Sequence, residues 1–219
     1  MKSAANPDHP AALPAGDFST WLHAMRRALA GGSGMQVACG DCVGCCTSSY
    51  YIKVRPRESE ALRHIGAEHL IPAPGEPQGT WLMGFDAQGH CPMYRAGGCS
   101  IYAHRPDTCR TYDCRIFAAA GMNAGDGRPV INDRIARWRF EYSSDSGREE
   151  HRAVTAAANF LRQHPVRFPD GHVPSRPSDV AVLAIKAYQV FLNVPASDAE
   201  AATGIVAACR KFDQQPPGD

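Results

Sequence analysis

Eight of the nine cysteines in this 219-residue chain fall in two groups between residues 39 and 114. The first reads Cys39-Gly-Asp-Cys42-Val-Gly-Cys45-Cys46; the second is Cys91, Cys99, Cys109 and Cys114. Thiolates two residues apart converge readily on one metal. A C-x2-C-x2-C run supplies three of them from one loop, as in bacterial ferredoxins, with the fourth from elsewhere. This sequence departs from that pattern because Cys46 follows Cys45 directly. Adjacent side chains point roughly opposite ways in a strand and about 100° apart in a helix. Cys45 and Cys46 are therefore expected to serve two sites, or two metals of one polynuclear centre. The simplest division gives two four-cysteine sites. Cys39, Cys42 and Cys45 take a fourth cysteine from residues 91–114, and Cys46 joins those remaining. Gly40 and Gly44 are expected to allow the tight backbone this requires, with Asp41 making a turn hydrogen bond.

Thiolate tetrahedra suit zinc and iron–sulfur clusters alike. The surroundings of the second group favour iron. Arg105, Arg110 and Arg115 lie among its ligands, and guanidinium N–H groups near a negatively charged cluster stabilise it and raise its potential. They are read as the residues that back the cofactor. His90 and His104 flank ligand cysteines and are alternative ligands, although a lone histidine is more often a satisfied surface residue. Tyr51, Tyr94, Tyr102 and Tyr112 read as packing that keeps water off the site. The ninth cysteine, Cys209, shares an apolar helical face with Val206 and Phe212 and reads as core.

C-x2-C-x2-C-C, then Cys91-Pro92, Cys99-Ser100-Ile101-Tyr102, Arg105-Pro106, Cys109-Arg110 and Cys114, resembles the zinc- or iron-chelating CxxCxxCC proteins, also called YkgJ-type cysteine-cluster proteins. The resemblance covers about residues 36–117. It implies metal chelation through the eight cysteines. Flagellin lysine methylases carry a similar cluster, which makes protein modification a distant third function. No Walker loop, Rossmann glycine fingerprint or nucleophile elbow appears, so no catalytic residue is identified.

The elements that must position these ligands are short. SYYIKV (49–54) predicts a strand, 57–70 an amphipathic helix, 79–94 a hairpin turning at Asp86 to Gly89, and Pro106 starts the helix carrying Cys109. Residues 1–16 read as a flexible arm. Asp17 or Ser19 caps a helix bearing Phe18, Trp21, Leu22, Met25 and Leu29, stopped by Gly31 and Gly32. Helical periodicity returns over 149–163, 178–193 and 197–211, and the basic, aromatic segment 135–142 is expected to pack Trp138 inward. The predicted fold is mainly α, with a small irregular α+β, cysteine-rich core knit by metal. Its parts are an arm and helix (1–34), the cysteine core (35–118) and a helical part (119–219) within one domain.

Net charge is +1, which gives no electrostatic footprint for nucleic acid. No stretch reaches about 18 apolar residues, and the N-terminus lacks the apolar run of a secretory signal. These features predict a cytoplasmic protein with no membrane or nucleic-acid partner, a protein partner remaining open. There, nine cysteines point to metal rather than disulfides. Two functions result: an iron–sulfur centre, expected as 4Fe–4S, for redox or electron transfer, or structural zinc in an assembly module.

Overall fold

The computed structural model describes residues 11–32, 34, 35, 37, 42–168 and 174–215. The chain is mainly α and forms two compact units. One comprises residues 33–113 and 127–131; the other comprises 1–32, 114–126 and 132–219.

The helical unit is built from amphipathic and alanine-rich segments. Helix α1 (Phe18–Leu29) starts where the Asp17 carboxylate accepts from the Thr20 N–H at 3.0 Å, and ends before Gly31, whose φ of 94° suits glycine. Phe18, Trp21, Leu22 and Met25 lie on its buried face. Strand β1 (Leu13–Asp17) precedes it and pairs in parallel with β7 (Trp138–Glu141), with a register shift between Pro14 and Gly16. The expected flexible arm is thus partly strand. Its last residues satisfy their backbone groups against a segment more than a hundred residues away. Trp138 is buried as expected.

The helices α6 (Asp145–Gln163), α7 (Pro177–Ala187) and α8 (Asp198–Asp213) follow the three periodic segments. Ser144 caps α6, and Ser197 caps α8 by accepting from Glu200. Their contacting faces are small: Ala153, Ala157 and Ala158 on α6, Ala181 and Ala184 on α7, Ala201 and Ala202 on α8. Such residues let backbones approach closely, and Leu161 and Ile185 fill what remains. At the end of α7 the Arg26 guanidinium donates to the carbonyls of Ile185 and Lys186, at 2.7 and 3.1 Å. The short α4 (Arg115–Ala119) contributes Ile116 and Phe117 to the same core.

In the cysteine unit, β2 (Ile52–Val54), β4 (Trp81–Met83) and β3 (Leu70–Pro72) form an antiparallel sheet in the order β2-β4-β3. The helix expected over 57–70 is shorter. Helix α2 spans Ser59–His64, Gly66 interrupts it, and the chain continues through a turn into β3. The expected hairpin also differs. The turn at Asp86 forms, with Gly89 N–H donating to the Asp86 carbonyl, but β4 pairs with β2 and β3 on either side. Residues after the turn instead form a separate ribbon, β5 (Tyr94–Arg95) with β6 (Gly98–Cys99). Helix α3 (Asp107–Thr111) follows Pro106, and α5 (Pro129–Arg137) begins in this unit and ends in the other.

The core of the cysteine unit is small. Val54, Ala61, Ile65, Met83, Met93 and Ile101 are buried together, with Cys91 and Cys99 packed against them. Such a core supplies little of the free energy needed to order more than eighty residues, mostly in loops.

The helical unit makes a pH-dependent contribution that can be read directly. His151 stacks on Phe18 at 4.3 Å and its Nδ1 lies 2.7 Å from the Tyr142 hydroxyl. Burial holds its imidazole below the usual value, against the opposing pull of the Ala118 and Ala119 backbone. A depressed folded-state value means stability present above the unfolded value of about 6.5 and lost as pH falls below it. Denaturant unfolding at a series of pH values should show this loss in the wild type and a shallower slope in His151→Phe.

Candidate metal centre

The second cysteine group is positioned by hydrogen bonds that hold short elements together. The Glu58 carboxylate accepts from the Asp107 N–H at 2.6 Å with one oxygen and from the Arg55 N–H at 2.7 Å with the other. It thereby fixes the first turn of α3 to the end of β2. Thr108 Oγ1 donates to the Lys53 carbonyl at 2.7 Å, a second tie between the same elements. Cys109 sits on the turn so held. Cys91 is placed by its own N–H, which donates to the Cys46 carbonyl at 2.7 Å and so joins the two cysteine groups by backbone. Cys99 lies opposite Tyr94 in the β5–β6 ribbon.

Cys109 reports how these thiols share one environment. Burial, with charge on Cys91, Cys46 and Cys99 acting in the same sense and Arg105 in the opposite one, pushes its thiol up to about 12. Charge on Cys46, Cys91 and Cys99 thus acts on Cys109. Burial also raises the Cys91 thiol, opposed by the backbone N–H groups of Met93 and Tyr94. N–H donors aimed at a cysteine sulfur are what stabilise it as a thiolate.

Cys45 occupies different surroundings. Both it and Cys46 lie on the turn Gly44–Thr47, held by Ser48 Oγ donating to the Gly44 carbonyl. Charge on Cys45 acts on Tyr50, whose hydroxyl lies 3.0 Å from that of Tyr112 and whose ring carries the Arg128 guanidinium 3.9 Å from its centroid. Gly44 has a packing reason rather than a conformational one: a Cβ there would meet Ile131 Cγ1 at 3.0 Å. Gly34 approaches the Arg110 carbonyl equally closely. Cys42 is half-buried. Cys39, Gly40 and Asp41 lie outside the described residues.

Cys114 belongs by contacts to the helical unit. It is buried, and the Trp138 indole N–H donates to its sulfur at 3.2 Å. Arg115, in the same unit, donates to the Ala15 carbonyl at 2.9 Å. Of the other two arginines, Arg110 donates to the carbonyls of Arg105 and Ala103, at 3.0 and 2.6 Å, and braces the loop before α3. Arg105 lies over the Tyr102 ring at 3.9 Å and acts electrostatically on Cys109. His90 packs against Tyr94. Cys209 is half-buried on α8, its thiol raised by desolvation.

Residues 38–128 match the model of the CxxCxxCC family, described as "Putative zinc- or iron-chelating domain". This cysteine-rich segment is therefore similar to a CxxCxxCC domain. The matched span runs past the last clustered cysteine and ends at Arg128, the residue that covers Tyr50. No curated protein and no solved structure matches the chain. Among the described residues, no helix is long and apolar enough to cross a membrane.

Glu58 and Arg128 went unread in the sequence. Both work across long separations, and a carboxylate or guanidinium far from the cysteines gives no local signal. Glu58 tests the positioning directly. Glu58→Ala leaves the Asp107 and Arg55 N–H groups without their acceptor. It should destabilise the cysteine unit by about 1–3 kcal/mol in denaturant unfolding, with Glu58→Gln less affected because one oxygen remains.

Proposed function

We propose that the cysteine-rich segment of this protein holds an iron–sulfur centre, 4Fe–4S in type, and that it serves electron transfer or a redox step. Cys46, Cys91, Cys99 and Cys109 hold one centre. Cys39, Cys42 and Cys45 belong to another set of ligands. The observation that carries the reading is the match of the cysteine-rich segment to a chelating domain, with charge on Cys91, Cys46 and Cys99 each opposing the ionisation of Cys109. A cation reverses that sign, because thiolates that repel one another in the metal-free protein become its ligands. Sulfur donors in this number fit iron–sulfur and zinc, and exclude the hard cations that require oxygen.

The Arg105 guanidinium that acts on Cys109 favours iron in this reading, because positive charge stabilises a negatively charged cluster. A cluster bound there supplies one-electron transfer. The residues set its conditions: Met93 and Tyr94 offer N–H groups to the Cys91 sulfur, Arg105 offsets negative charge near Cys109, and Ile101 and Met93 limit water.

Structural zinc is the second reading, favoured by the small apolar core, which needs a brace of either metal. Protein purified without oxygen separates the two. Iron with acid-labile sulfide, and absorption near about 400 nm that fades on reduction, is the expected result. A colourless protein holding stoichiometric zinc would replace it with the zinc reading.

Metal removal should also unfold one unit selectively. Ligands from Cys39 to Cys109 close long loops that the apolar core alone does not hold. Chelation under reducing conditions should open residues 42–113 to protease, while α6, α7 and α8 stay protected. Equal cleavage with and without metal would show that the unit stands by itself.

A further inference from the structure

Apart from the thiols, one carboxylate oxygen and two imidazole nitrogens meet within 4.8 Å of one another, on Glu60, His64 and His104. Glu60 and His64 are one turn apart on α2 and share a face. His104 comes from the turn Tyr102–His104, in the segment between Cys99 and Cys109. The two imidazoles stack with centroids 4.0 Å apart and planes 12° from parallel, and His104 Nδ1 lies 3.9 Å from Glu60 Oε2.

We propose that Glu60, His64 and His104 form a second, exposed site for a divalent cation of zinc, nickel or copper character. Two imidazoles and a carboxylate are the donors such ions take, and thiol-free donors distinguish the site from the cysteine centre. Three protein ligands leave coordination positions for water or an exchanging ligand, which marks an open site rather than a closed structural one. A stacked pair beside a surface glutamate is also a sufficient packing arrangement, so the question is whether metal binding outweighs it. Parallel rings send their lone pairs in parallel directions, and one ring must turn for both to face an ion. Such a turn is open to a histidine at the surface, whose ring torsion is broad. Glu60 also pairs with Arg63 on the same helix. Exposed pairs of this kind contribute little, much less than two imidazole–metal bonds.

The proposal does not depend on which metal the cysteines hold. Cobalt(II) tests it, because thiolate ligation gives intense sulfur-to-metal charge transfer, whereas nitrogen and oxygen ligation gives weak d–d bands alone. Protein as purified, its thiol centre filled, is titrated with cobalt(II) in a non-chelating buffer. The expected result is about one added equivalent with d–d bands, no new sulfur charge transfer and paramagnetic shifts on two histidine rings. His64→Ala and His104→Ala should each weaken binding about tenfold or more, while Arg63→Ala leaves it unchanged or strengthens it. Their far-UV circular dichroism should match the wild type. Binding that survives in the double variant, added cobalt that reports sulfur alone, or no histidine shifts in the wild type would overturn the proposal.

Discussion

Thiols whose charges act on one another around Cys109, in a unit with a small apolar core, set the terms for everything else in this protein. Thiols so placed resist ionisation one after another, since each negative charge raises the cost of the next and desolvation adds to it. The arrangement is therefore unfavourable as a set of anions and favourable as a set of ligands. A unit with so small an apolar core gains from a metal that ties its loops together. The sequence spends its side chains on converging sulfur, and the backbone follows. Cys46 and Cys91 are joined by a main-chain hydrogen bond, and α3 is tied to β2 twice, through Glu58 and Thr108.

The helical unit solves a different problem. Its core rests on alanine faces at close range, on aromatic residues from α1 and β7, and on caps at Asp17, Ser144 and Ser197. Nothing in it calls for a metal to close loops, because its longest segments are helices whose hydrogen bonds are local. Two modes of stabilisation in one chain imply two responses to metal loss, one unit failing while the other persists.

What was legible in the sequence follows the same division. Helical periodicity announced α1, α6, α7 and α8, together with the caps at Asp17 and Ser197, because those signals are local and repeated. The mainly α class and the cysteine-cluster family were legible too, the latter because order, spacing and flanking residues agree. Short elements were less legible. Gly66 ended α2 early, and β4 found partners on both sides instead of folding onto the residues after Asp86, since three-residue strands carry too little pattern to name their partners. The inequivalence of Cys45 and Cys46 was argued from side-chain direction. In the structure, charge on Cys46 acts on Cys109 and charge on Cys45 acts on Tyr50. Glu58, Arg128 and the indole on Cys114 had no sequence signal, because each depends on a partner remote along the chain.

The central claim is that adjacent cysteines feed two different sets of ligands, and single replacements test it most directly. Metal content and absorption spectrum, measured per folded protein for Cys45→Ser, Cys46→Ser and Cys209→Ser, are the quantities required. The account predicts that Cys45→Ser and Cys46→Ser each lose part of the metal with different residual spectra, and that Cys209→Ser loses none. Identical losses and identical spectra for Cys45→Ser and Cys46→Ser, or no loss from either, would contradict it.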